Sequence, residues 1–191
     1  AFINFFLSYV NEEIEQVGYF PASVAALDAA RQGWLDGMAA EASMQSQGLM
    51  LPEVNPLEVK GAIVTAGSST VFPLAEAMAT RFKDEGYADQ ITIDSIGSGA
   101  GIERFCVTGE TDIANASRAI KDSEIEACKA INRNPIEFRV GTDALAVVVS
   151  KDNTFLTNAT FEQLALIFST AEKWSDVDPS WPAETIVRYI P

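Results

Sequence analysis

Three short stretches of this chain gather hydroxyl groups close to glycines and to the starts of helical patterns: Thr65 to Met78 (TAGSSTVFPLAEAM), Ser95 to Phe105 (SIGSGAGIERF), and Asp112 to Arg118 (DIANASR). The chemistry they suit is the holding of an anion. In the first, Ser68, Ser69 and Thr70 stand where side-chain hydroxyls and the free N–H groups of a helix start converge, and such an end attracts negative charge. In the second, Ser98 lies between glycines that allow the backbone to approach a ligand and to aim successive N–H groups into a nest. In the third, Ser117 and Arg118 follow a strand end, and a guanidinium there can donate paired hydrogen bonds to an oxyanion. Each stretch also has a purely structural reading: a helix cap, a glycine-rich tight turn, and a surface or ion-paired arginine. The residues leave both readings open.

Other chemistries fit less well. Gly97 and Gly99 are followed by Ile102 where a dinucleotide fingerprint needs a third glycine, no Walker lysine is present, and Ile96 occupies the first glycine position of a nucleophile elbow. The chain has no histidine, which removes Ser-His-Asp and Cys-His catalysis and the histidine-bearing zinc sites. A phosphatase or phosphotransferase would need a nucleophile and metal carboxylates. Asp94 and Asp112 are available, but neither sits in a recognisable metal motif.

The elements that position these stretches alternate. GAIVTA (61–66) reads as a buried strand, and Leu74, Met78 and Phe82 mark a helix over 73–84 that begins near Pro73. A strand at 91–96, the glycine-rich loop, a helix at 101–107 and a strand over 112–116 follow, then a helix ending near Ile131 with Ser123 and Glu126 as its capping box. This grammar is α/β. IEFRV (136–140) and ALAVVVS (144–149) read as β-rich runs, Thr160 and Gln163 cap a helix carrying Phe161, Leu164, Ile167 and Phe168, and IVRYI starts another strand. Upstream, residues 2–16 form an amphipathic helix ended by Gly18, and Ser23 opens a second helix running to about Gly37. The intervening stretch 39–58, with its glutamines and two prolines, reads as a linker.

A length of 191 residues accommodates one domain, or one and part of another. The net charge of −14 argues against nonspecific binding to nucleic acid or an anionic membrane, so any bound anion is held by local donors. Cys106 and Cys128 could form one bridge in an oxidising compartment or remain two buried thiols. The opening AFINFFLSYV lacks a basic flank and is too short to span a bilayer, so no signal sequence is expected within this chain.

Taken in series, GSSTVFPL, SIGSGAG, DIANASR, GTDALAVVVS, LALIFS and WSDV resemble the phosphate-binding proteins of ABC transporters, over about residues 58–191. The resemblance implies a periplasmic-binding-protein type II fold: one α/β lobe at 59–150 with a parallel-type sheet flanked by helices, and a second lobe only begun at 151–191. It implies that Ser69, Thr70, Val71, Ser98, Ser117 and Arg118 contact inorganic phosphate, with no catalysis, no metal and no cofactor. An ABC transporter permease is the implied partner and the location extracytoplasmic, periplasmic or cell-surface. Because the family is exported, a Cys106–Cys128 disulfide is expected. Many members have an aspartate near the Ser117 position, where this chain has serine and then arginine, which leaves phosphate-over-sulfate selectivity open. Residues 2–38 resemble the family's carboxyl-terminal helices, expected to pack on the first lobe, yet they come first here. The family's second serine/glycine/threonine loop is missing, so a second lobe or complementary chain is expected to complete the fold. Tandem, permuted and split arrangements all fit, an engineered or truncated one being favoured. The competing functions are a phosphate-ester phosphatase or phosphotransferase and a non-binding structural or signalling module.

Overall fold

The computed structural model describes residues 1–38, 43–45, 48–144 and 146–190, with the side chains of 43–45 and 48 excepted. It divides into two compact units, Ala1–Ala144 and Leu145–Pro191.

The first unit opens with α1 (Phe2–Glu13), whose Phe2, Phe5, Leu7 and Val10 recur at helical spacing and are buried. Ile14 N donates to Val10 O, and Gly18 at φ +89 turns the chain away. After β1 (Phe20–Pro21), α2 (Val24–Met38) starts at Ser23, whose hydroxyl accepts from Ala26 N at 3.2 Å. β2 (Ser43–Gln45) and β3 (Gly48–Met50) pair antiparallel inside the stretch expected to be a linker; its residues 39–42, 46 and 47 lie outside the described residues. The hairpin is held to α2 because Asp28 accepts from Leu49 N and Arg31 donates to Leu49 O, both at 3.1 Å. A 3₁₀ turn at Pro56–Glu58 precedes the sheet.

The sheet and its helices follow in alternation: β4 (Ile63–Gly67), α3 (Phe72–Asp84), β5 (Ile91–Ser95), α4 (Ser98–Glu103) with a π-helical turn (Arg104–Thr108), β6 (Ile113–Asn115) and α5 (Asp122–Ala130). Both β5 and β6 pair parallel with β4, giving the order β5-β4-β6. The chain is thus an α/β protein with a parallel sheet flanked by helices.

The main core lies between α1, α2 and α3. Phe82 is fully buried, its ring 5.2 Å from that of Phe2, 4.8 Å from that of Phe5 and 4.8 Å from that of Tyr87. At the margin, Arg81 joins the same helices, donating to Glu12 at 2.8 Å and Glu13 at 2.9 Å on α1 and Glu85 at 2.9 Å, with its guanidinium 4.2 Å from the Tyr9 ring centre. A second core of Ile102, Cys106 and Cys128 lies under α4 and α5, where Cys106 and Cys128 form a disulfide. Arg133 closes it by donating to Phe105 O, Thr111 O and Gly109 O.

Several expectations are corrected. The helix expected over 101–107 begins at Ser98, because Gly97 at φ +89 already turns the chain out of β5. The Ser123–Glu126 capping box is displaced by two residues: Glu124 accepts from Lys121 N at 2.8 Å, while Glu126 pairs with Lys129 on the helix surface. Residues 136–140 form no strand, since Phe138 packs beside Trp34 with ring centres 6.2 Å apart and Ile136 lies against Gly33 and Gly37 of α2. Only β7 (Gly141–Thr142) pairs, antiparallel, with β1. Residues 146–149 are exposed without a partner strand among the described residues, and Leu145 lies outside them.

The second unit holds α6 (Phe161–Ile167) and α7 (Trp174–Val177). Thr160 and Gln163 cap α6 reciprocally, Thr160 N donating to Gln163 Oε1 at 2.9 Å and Gln163 N to Thr160 Oγ1 at 3.2 Å. Its core is Ile167, Ala171 and Ile186, flanked by the rings of Trp174 and Trp181. The expected strand IVRYI is irregular: Ile186 is buried and Arg188 donates to Ile167 O and Ala171 O, leaving only a Lys173–Thr185 bridge.

Phe82→Ala removes a ring buried among three others and is expected to lower unfolding stability by about 3–5 kcal/mol, read as a reduced urea midpoint. An unchanged midpoint would contradict this packing.

Candidate anion site

All three parallel strands end at one level. Gly67 at the end of β4 is registered against Ser95 on β5 and Asn115 on β6, so the loops that follow leave from one edge of the sheet. With β4 central, β5 on one side of it and β6 on the other, the strand order reverses here. Open α/β sheets take ligands outside the carboxyl ends of strands at such a point.

Close backbone contacts fix the edge. A Cβ on Gly67, at φ +149, would lie 2.0 Å from Asn115 O, and one on Gly101 would lie 2.4 Å from Gly67 Cα and 2.5 Å from Ala66 O. Only hydrogen at both positions lets α4 and β6 approach β4 so closely. Gly67 O accepts from Ile96 N at 2.9 Å and Gly97 N at 2.8 Å, while Asn115 O accepts from Ser68 N at 2.8 Å. The Asn115 carboxamide donates to Thr65 Oγ1 at 2.9 Å, a second tie between the strands.

Ser98 and Ser117 are brought together. Their hydroxyl oxygens are 3.1 Å apart, and Ser117 N donates to Ser98 Oγ at 3.1 Å. Ser69, Thr70 and Val71 form the turn after the central strand, Ser69 exposed and the other two half-buried. Ser68 plays another part: its nearly buried hydroxyl accepts from Thr70 N at 3.2 Å and shapes that turn. α3 begins at this turn with no side-chain cap and with Pro73 in its first turn, which leaves the positive end of its dipole at Ser69 to Val71.

Arg118 is ion-paired. Its Nη1 and Nη2 donate to the two carboxylate oxygens of Glu124 at 2.9 and 2.6 Å. The Arg118 hydrogen bonds, opposed by burial and aided by Lys121 N–H and the nearby positive charges, lower the Glu124 carboxyl from 4.5 to about 2. The same pairing raises the Arg118 pKa. Asp94 and Asp112 are also engaged: Asp94 pairs with Arg104 at 2.5 Å, and Asp112 accepts from Val64 N at 2.8 Å. Among the described residues no group of three acidic, cysteine or histidine side chains is arranged to hold a metal ion.

Gly67, Gly101, Asn115 and Glu124 escaped the sequence reading. The glycines were visible as loop glycines, but their role depends on another strand or helix passing within van der Waals distance. Glu124 carried no signal beyond its position near a helix start.

Comparison with known proteins gives a consistent set. The PBP superfamily domain matches residues 39–190. The protein SphX of Synechococcus elongatus is 46% identical over 136 residues, covering 68% of this chain and 40% of that protein. The phosphate-binding protein PstS of Staphylococcus saprophyticus is 38% identical over 135 residues, covering 70% of this chain and 41% of that protein. The crystal structure of a possible phosphate binding protein from Planctomyces limnophilus superposes with a TM-score of 0.58 at 37% identity, over 67% of this chain and 46% of that one. The chain thus spans about two fifths of the curated relatives it matches.

Two outcomes are expected from this geometry. Gly101→Ala should cost about 1–3 kcal/mol in denaturant unfolding because its methyl meets backbone that cannot yield; a neutral effect would refute the close approach. The depressed Glu124 pKa makes its contribution to stability fully present above about 4.5 and lost as pH falls toward about 2. Glu124→Gln should therefore flatten the acid limb of stability between those values, and an acid limb identical to the parent's would contradict the ion pair.

Proposed function

This chain belongs to the PBP superfamily over residues 39–190, and on that premise we propose that it binds inorganic phosphate as an extracytoplasmic solute-binding protein of an ABC uptake system. The observation that carries the reading is the departure of three hydroxyl-bearing loops from one edge of the β5-β4-β6 sheet, two of them meeting at the Ser98–Ser117 contact. Ser69, Thr70, Val71, Ser98, Ser117 and Arg118 are the proposed contacts. The hydroxyls donate to phosphate oxygens, and the start of α3 adds N–H groups and dipole. Phosphate enters as the ligand because relatives such as the Staphylococcus saprophyticus protein carry that name.

Binding without chemistry is the favoured reading over a phosphatase. The two aspartates that the sequence offered for such chemistry, Asp94 and Asp112, are spent on Arg104 and on the Val64 amide. The remaining donors come, in this proposal, from a second lobe in the same or a complementary polypeptide, which closes over the anion and excludes water. The closed form is what an ABC transporter permease would receive.

A few neutral hydrogen bonds at about 1 kcal/mol each, with one charge-assisted bond at about 1.5–3 kcal/mol, give this half of a site roughly millimolar to micromolar affinity. Calorimetric titration with phosphate is expected to show such binding, weakened about fivefold by Ser98→Ala and by Thr70→Ala, the equivalent of about 1 kcal/mol each. Unchanged binding in both variants would remove these loops from the site. Release of phosphate from a chromogenic ester would favour the enzyme instead.

A further inference from the structure

Arg118 has more donors than its ion pair uses. A guanidinium carries five N–H bonds in one plane. Nη1 spends both of its own, on Ala119 O at 3.0 Å and Glu124 Oε2 at 2.9 Å, and Nη2 spends one on Glu124 Oε1 at 2.6 Å. The two left over, on Nε and Nη2, lie side by side along one edge of the plane and have no partner among the described residues. They form a second fork of the kind that grips two oxygens of one oxyanion. The side chain keeps about one third of its surface exposed, at 34%.

Glu124 is itself held from behind. Its Oε2 accepts from Lys121 N at 2.8 Å at the start of α5, so the carboxylate that grips Arg118 is anchored to a helix end. The residue it grips directly follows Ser117, whose N–H and hydroxyl meet Ser98. An unclamped arginine on an exposed loop samples many rotamers, and ordering it would weaken any complex it made.

We propose that Glu124 is a positioning residue for anion recognition, which clamps one edge of the Arg118 guanidinium and so presents the other, the Nε–Nη2 edge, as a preformed fork for a tetrahedral oxyanion. The proposal rests on the phosphate-binding reading and deepens it. The clamp also has a consequence for specificity. Glu124 offsets the charge of Arg118, so what Arg118 offers is direction rather than a bare cation. Two parallel donors favour a ligand with two oxygens at the matching spacing over a spherical anion such as chloride.

The test uses the 191-residue chain and inorganic phosphate, with affinity measured calorimetrically for Glu124→Gln, Arg118→Ala and the double variant. The carboxamide of Glu124→Gln still accepts from Lys121 N, so the helix start is kept while the bidentate clamp is lost. Each single change is expected to weaken phosphate binding roughly tenfold, the loss of a charge-assisted contact, and the double variant to bind no worse than Arg118→Ala alone. A structural role for Glu124 would instead make the two effects multiply. Arg118→Lys, which keeps charge without the fork, is expected to bind like Arg118→Ala, and chloride is expected to compete better in the Glu124→Gln variant than in the parent chain. Phosphate affinity unchanged or tightened in Glu124→Gln, multiplying effects, or parental affinity in Arg118→Lys would overturn the proposal. If Ser98→Ala weakens binding while Glu124→Gln does not, only the clamp falls; if the parent chain binds no phosphate, the site reading falls with it.

Discussion

The packing at Gly67 is the constraint on which the rest of the site depends. One residue of the central strand is approached from one side by the Asn115 carbonyl of β6 and from the other by Gly101 of α4, at distances that leave no room for a methyl group. Because the three strand ends are locked together there, the loops beyond them have no choice but to leave from a common edge. The Gly67 carbonyl is taken by two amides of the β5 loop and Asn115 by the amide of Ser68, so the backbone groups pointing inward are satisfied. In the proposed site it is the side-chain hydroxyls of Ser69, Thr70, Ser98 and Ser117 that serve the ligand.

Electrostatics reinforce that division. A chain with net charge −14 repels anions at long range, so a site for one must work through short-range, directed donors. The arginines around the sheet are tied to carboxylates or carbonyls: Arg81 to three glutamates, Arg104 to Asp94, Arg133 to three backbone oxygens and Arg118 to Glu124. Most of these contacts link one element to another, as Arg81 links α1 to α3. Arg118 directly follows Ser117, one of the serine pair, so in the proposed site its ion pair with Glu124 would serve recognition as well as the fold.

Much of this was legible from residue types. The strand-loop-helix alternation, the helix start near Pro73, the Thr160–Gln163 box and the three hydroxyl loops rest on local chemistry, and local chemistry is what a sequence displays. The misreadings share one cause, which is that partners distant in sequence decided the outcome. Phe138 and Ile136 look like strand residues until Trp34 and the α2 glycines give them a helical surface to cover. Ser123 looks like a cap until Glu124, already bound to Arg118, accepts from Lys121 N. Glu124 itself was invisible because its meaning lies in a pairing six residues back in the chain, across a turn with no regular period.

The most direct measurement is a backbone amide NMR titration of this chain with inorganic phosphate. If the three loops form one site, the amides of residues 68–71, 97–99 and 115–118 should shift together and saturate along a single binding curve. Shifts scattered over surface lysines, or curves that differ from loop to loop, would contradict a common anion site at the end of the sheet.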